Sequence, residues 1–187
     1  MNKSMQVLSV SDVEEFCKLC DWAHEVWLNH LELFDNNKRE SELMNSFAAE
    51  ELERLCIISQ EYSLLQIAKL HDRAIMNGSF TLGINYVLRH GGWSDSIRYR
   101  LEELAKKLND FAFKLRNVRN KLLSHNDRAT FRAAATLGEF AEGDDLKYFR
   151  NLQEFVNIVH DEVVGGIYPF NTQAINDVAA FLATIKP

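Results

Sequence analysis

Proline is almost missing from this chain. Pro169 and Pro187 are the two in 187 residues, so no residue of that kind obliges a helix to break before position 169. Long apolar runs are missing as well: the longest falls far short of the roughly 20 residues a membrane helix needs. Residues 1–10 lack the basic and apolar regions of a secretion signal, and the expectation is a cytoplasmic protein. Cysteine is scarce and odd in number, three in all. Cys17 and Cys20 form a lone C-x-x-C, Cys56 stands apart, and no second ligand pair is present for a structural zinc. Buried thiols in a reducing compartment fit this usage, because cysteine packs as a small apolar residue. A P-loop and a dinucleotide fingerprint are lacking too. His24-Glu25 is not followed by the second histidine of a zincin. His71-Asp72 matches the dyad of metal-dependent phosphohydrolases, but His24, His30 and His90 do not supply the further ligands, so a satisfied His-Asp pair at a helix end is expected. No metal and no cofactor is called for.

What is present is the composition of an ordinary globular domain, 47% hydrophobic and 26% charged. A chain of this length should bury about 70% of its unfolded surface, which predicts one sizeable core and a single domain over residues 1–187. The apolar positions recur at helical spacing. Ser11 and Glu14 form a capping box, followed by Val13, Phe16, Cys17, Cys20, Ala23, Trp27, Leu28, Leu31 and Phe34 on a first helix that ends near Asp35. A second helical region runs from about Ser41 to Asp72, with a break near Ser46 and apolar positions at Leu52, Leu55, Ile58, Leu65, Ala68 and Leu70. Asn77-Gly78 punctuates the chain, Ser79 is expected to cap a short helix, and Gly91-Gly92 to end it. Ser94 opens the longest pattern: Ile97, Leu101, Leu104, Leu108, Phe111, Leu115, Val118 and Leu122 alternate steps of three and four. Residues 133–144 read as a connection. Leu146, Phe149, Leu152, Phe155, Val156 and Val159 mark another helix, and Thr172 caps the last one, to about Thr184. Trp22 and Trp27 read as core. No strand-period alternation is worth scoring. The fold class is all-α, a bundle of about five to six helices.

Charge is unevenly spread. From Arg98 to Arg132 ten Lys or Arg face four Asp or Glu, so this segment is +6 within a chain of net charge −6. A solvated helix face attracted to the acidic helices would account for it. So would an anionic ligand such as RNA phosphate.

Inside that segment lies RNVRNKLLSHND, residues 116–127. One further step along the stripe from Leu122 lands on His125, about 20° from Val118 around the helix axis, where it faces a partner helix or subunit. Arg119 lies roughly 120° from His125 and about 9 Å away along the axis. Imidazole exchanges a proton near neutral pH and guanidinium stabilises charge developing on phosphate oxygens. In RNA the 2′-hydroxyl supplies the nucleophile, so the pair suits metal-independent phosphodiester cleavage. Asn120 can hydrogen-bond the histidine or a phosphate oxygen. The competing reading is a histidine that merely complements the helix dipole.

Arg119 and Asn120, followed by Leu122, Leu123, Ser124, His125 and Asp127, resemble the R-x(4-6)-H motif of the HEPN superfamily. RNKLLSHND is similar to the RNKxxAHxD form of its abortive-infection, AbiU-like branch. KLHDRAIMNGSFTLGINYVL, residues 69–88, resembles an upstream segment of that branch. The resemblance implies a helical bundle that usually dimerises, with two motif helices building a composite RNA-cleaving cleft. It implies that Arg119 polarises the scissile phosphate, His125 transfers a proton and Asn120 orients one of them. Arg116 and Lys121 become secondary phosphate contacts, with Asp127 in support. The function expected is a metal-independent endoribonuclease in phage defence, or the toxin of a toxin-antitoxin pair with an antitoxin or regulatory protein as partner. The alternative is a non-catalytic helical module that binds RNA or protein with the same basic face.

Overall fold

The computed structural model describes residues 8–36, 49–76, 78–118 and 143–184, with backbone alone for 116–118. Six α-helices order these residues: α1 (Val10–His30), α2 (Ala49–Leu70), α3 (Ile84–His90), α4 (Asp95–Val118), α5 (Asp144–Val163) and α6 (Gln173–Thr184). The fold is all-α apart from a small antiparallel hairpin of β1 (Ile75–Met76) and β2 (Ser79–Phe80), with Ile75 opposite Phe80 and Met76 opposite Ser79. A two-residue strand is too short to leave a period in the sequence. None of the described helices is long and apolar enough to cross a membrane.

Side-chain caps open α1 and α4, whereas α3 and α5 start on Gly83 and Gly143 with no side-chain cap. α1 opens on Ser9, not Ser11. The Ser9 N–H donates to Asp12 Oδ2 at 2.9 Å and the Asp12 N–H donates to Ser9 Oγ at 3.1 Å, a reciprocal box built with aspartate at the third position. Ser79 belongs to β2, and Gly83 takes the N-cap of α3. Ser94 does start α4, its Oγ accepting from the Ile97 N–H at 3.4 Å. The first helix is prolonged by a π-helical turn at Leu31–Asp35, closed by the Asn36 N–H on Leu31 O at 2.7 Å.

The chain forms two compact units. The first comprises Met1–Cys20 and Ile67–Pro169, and its centre is the antiparallel pair α4 and α5. Phe111 stacks on Tyr148 with ring centroids 4.7 Å apart, Lys114 Nζ lies 3.4 Å from Asp144 Oδ2, and Arg100 lies 3.9 Å from Glu154. Leu101, Leu104, Leu108, Phe111 and Leu115 are buried, as the spacing predicts, together with Phe149, Leu152, Phe155, Val156 and Val159. Phe16 of α1 meets Phe155 edge-on at 6.0 Å, and Cys17 and Cys20 are buried thiols. Leu146, expected on the core stripe, is 53% exposed, because the buried stripe of α5 begins at Tyr148. Val118 has backbone alone, and Leu122 lies outside the described residues.

His71 is a polar group at the centre of this unit's contacts. It is fully buried, with Nδ1 2.9 Å from Asn109 Oδ1 on α4 and Nε2 2.9 Å from the Tyr148 hydroxyl on α5. Asn109 and Tyr148, on two other helices, thus meet both ring nitrogens. The carbonyls of His71 and Asp72 accept from Asn85 Nδ2 on α3 at 3.4 and 3.2 Å. One turn after α2 thereby ties three further helices.

The second unit comprises Asp21–Gln66 and Phe170–Pro187. Ser63 Oγ donates to Val26 O at 3.2 Å, and His30 Nδ1 lies 3.3 Å from Ser59 Oγ. α6 packs on the π-helical turn, and the Asn171 N–H donates to Asp21 Oδ1 at 2.6 Å. Trp27 is buried as expected, whereas Trp22 is 46% exposed, its indole N–H donating to the Tyr62 hydroxyl at 3.3 Å. Leu55 and Ile58, placed on the apolar positions of the second helix, are also exposed. They point away from the other described residues of this unit.

Two outcomes follow for stability. Tyr148→Phe keeps the ring and removes the hydroxyl that meets His71 Nε2, which should cost about 1–2 kcal/mol in urea unfolding; an unchanged midpoint would show that the bridge contributes nothing. Burial holds His24 and His30 below the ordinary imidazole value of 6.5, against the Asn171 backbone and Asp21 for the first and Asp35 for the second. The unfolded chain then takes up protons more readily than the folded one, so their contribution is complete above the unfolded value and declines as pH falls below it. The urea midpoint should drop between about pH 7 and about pH 5.5, and less steeply in a His24→Gln/His30→Gln variant.

Candidate functional site

The sequence-predicted site residues are distributed unevenly over the structure. Arg116 falls in the part of α4 that has backbone alone, and Arg119, Asn120, Lys121, His125 and Asp127 lie outside the described residues. What the structure does position is the helix that leads to them. α4 is buried along one stripe from Leu101 to Leu115, and its backbone continues as helix to Val118, the residue before Arg119. The start of α5 is held beside that end through Lys114 and Asp144.

The same contacts decide part of the charge question. Lys114 and Arg100 face acidic groups on α5, so some of the basic segment is matched within the fold, as the plainer reading holds. Lys106 and Lys107 stay exposed on α4. Surface pairs of this kind contribute little to stability.

A pocket of about 540 Å³ opens in the first unit, on the flank of α4. Its lining includes Arg73, Asn85, Arg89, Asn109, Asp110 and Phe113. Two helical spacings build it. Asn85 and Arg89 stand four residues apart on α3, and Asn109 and Phe113 four apart on α4, so each pair lies along one helix face. The stretch after His71 brings Arg73 to the same place and continues into the hairpin, where the Thr81 N–H donates to Ala74 O at 3.0 Å. Asn109 binds both ways, holding His71 behind the pocket and lining the pocket itself. Phe113 is 65% exposed. Among the described residues neither arginine is paired with a carboxylate.

Sequence reasoning missed this pocket. Residues 69–88 were singled out by resemblance alone, with no chemistry attached to Arg73 or Asn85. The available signal was polar residues at four-residue spacing on two helices, but spacing does not say that the two faces meet. Among the described residues no group of three or more His, Cys, Asp or Glu stands close enough to hold a metal ion.

The model of the HEPN family AbiU2 matches residues 11–181. The chain belongs to the AbiU2 family. The match covers both compact units, the pocket and the segment with Arg119 and His125. No curated protein and no solved structure matches the chain.

The close fit of α3 against the end of α2 is set by Gly83. A Cβ there would stand 2.7 Å from the Leu70 carbonyl oxygen, a backbone atom that cannot swing aside. Gly83→Ala should therefore cost about 1–3 kcal/mol and loosen the Asn85 contacts. Thermal unfolding and amide exchange at residues 84–90 check it, and wild-type values for both would refute the close-contact account.

Proposed function

We propose that the protein is a metal-independent endoribonuclease of the HEPN type. The observation that carries this reading is the R-x5-H motif Arg119 to His125, which follows the described part of the long buried-stripe helix α4 in chain order, in a chain that belongs to the AbiU2 family. In the proposed reaction the RNA 2′-oxygen attacks the adjacent phosphorus and the bond from phosphorus to the 5′-oxygen breaks. The proton of the 2′-hydroxyl leaves to a base and the departing oxygen takes one up. His125 serves in proton transfer, Arg119 balances the charge that gathers on the phosphate oxygens, and Asn120 orients one of the two. Arg116 and Lys121 contact flanking phosphates, and Asp127 supports the histidine.

The chain acts in the cytoplasm as a single domain and a homodimer, with phage defence or a toxin-antitoxin pair as the setting. Exposed Leu55, Ile57 and Ile58 on α2 support a self-association surface, since large apolar side chains gathered on one helix gain from being covered. An antitoxin or regulatory protein is the further partner of this reading.

Cleavage of a mixed RNA pool in EDTA is the test, with wild type beside a folded His125→Ala variant. The variant should lose about 100-fold or more of the rate, in the range of a positioned acid-base group. Equal cleavage by the two would remove His125 from the chemistry. If neither protein cuts but both retain RNA, the non-catalytic binding module takes its place.

A further inference from the structure

We propose that the pocket between α3, α4 and the turn after His71 is a nucleotide subsite, receiving one nucleotide of an RNA strand that runs along α4. Its chemistry is mixed in the way a nucleotide requires. Arg73 and Arg89 supply guanidinium groups for a phosphate, and such charge-assisted contacts are the strong ones in phosphate recognition. Phe113 offers an exposed ring, and bases stack on aromatic side chains with little regard to sequence. The amides provide both kinds of hydrogen-bonding group. Asn109 meets His71 through Oδ1, which leaves its NH₂ group as a donor. Asn85 meets the two backbone carbonyls through Nδ2, which leaves its oxygen as an acceptor. Asp110 adds a carboxylate on the α4 side, which turns a phosphate toward the arginines. The volume, about 540 Å³, lies within the usual range of about 300–1,000 Å³ for small-ligand pockets. A bare inorganic anion would have no use for Phe113 or for the acceptors.

The pocket in the second unit has a different character. It measures about 360 Å³ and is lined by Trp22, Tyr62, Glu25 and Asp177, and its two carboxylates would repel phosphate. The position of the first pocket names the source of the nucleotide. Phe113 and Asn109 lie on α4, and Arg119 follows Phe113 by six residues in the chain. A strand whose scissile phosphate sits at Arg119 would bring a neighbouring nucleotide to this pocket, and this assignment of the source rests on the ribonuclease reading.

The test uses the full chain carrying His125→Ala, so that RNA is bound without being cut, and a labelled short single-stranded RNA followed by fluorescence anisotropy over a range of KCl. Adding Arg73→Gln with Arg89→Gln should weaken binding at least about tenfold and flatten the log–log salt dependence by about 0.7, the value of one single-strand phosphate contact. Phe113→Ala should weaken it about fivefold or more, with the salt slope unchanged. Glu25→Gln in the other pocket should change neither, and far-ultraviolet circular dichroism should report the same helix content for all. Calorimetric titration with the four nucleoside 5′-monophosphates forms the second arm. Mononucleotide binding that the arginine and Phe113 variants remove, with RNA affinity untouched, would keep the nucleotide site and overturn the RNA source. Wild-type RNA affinity and salt slope in those variants, with no mononucleotide bound, would overturn the proposal altogether. Loss of cleavage in His125→Ala is scored separately, so the pocket can fail while the ribonuclease reading stands, and the reverse.

Discussion

A buried imidazole organises the first unit. His71 is fully buried, and a polar ring taken from water without partners is costly. Asn109 and Tyr148 meet its two nitrogens at 2.9 Å each, which fixes the turn after α2 against α4 and α5 at once. The backbone of that turn is then fixed to α3 by Asn85. Because hydrogen bonds are directional, this arrangement sets where each helix stands as well as which helices touch. The stacking of Phe111 on Tyr148 and the burial of Leu108 and Leu152 fill the space around it.

The pocket depends on that bridge. Asn109 reaches back to His71 and at the same time lines the cavity, and Asn85 does the corresponding task on α3. A wall whose amides are already held on one side keeps their other hydrogen-bonding groups in place, which lowers the ordering cost of taking up a ligand. The basic side chains around α4 divide in the same spirit. Those facing α5 meet acidic groups, while Arg73 and Arg89 stand in the pocket lining with no ion pair to a carboxylate among the described residues.

The α4 pattern was legible because it is long and amphipathic: steps of three and four from Leu101 to Leu115 all proved buried. Ser94 opened it, and Gly91-Gly92 ended the short helix before it, since capping and chain-breaking are local effects. Other local readings went astray where two candidates stood close together. The box expected at Ser11 with Glu14 gives way to one at Ser9 with Asp12, two residues earlier, which hydrogen bonding in the folded chain selects. Leu55, Ile58 and Leu146 are apolar at helical positions yet exposed, because periodicity marks an apolar row without saying whether anything covers it. The motif residues Arg119 to Asp127 were legible as residue types at a spacing, the one property of a site that chain order carries.

By itself the sequence determined the all-α class, the principal helices, the stripes of α4 and α5 and the family to which the chain belongs, because each is written in residues near one another along the chain. Tertiary structure alone decided that His71 is satisfied by Asn109 and Tyr148, residues 38 and 77 positions away. It alone brought Arg73, Asn85, Arg89 and Phe113 around one cavity. The physical reason is the same in both cases: hydrogen bonds and cavities form between surfaces that meet only once helices have packed, and helical spacing fixes which face a residue occupies but not which other face it will meet.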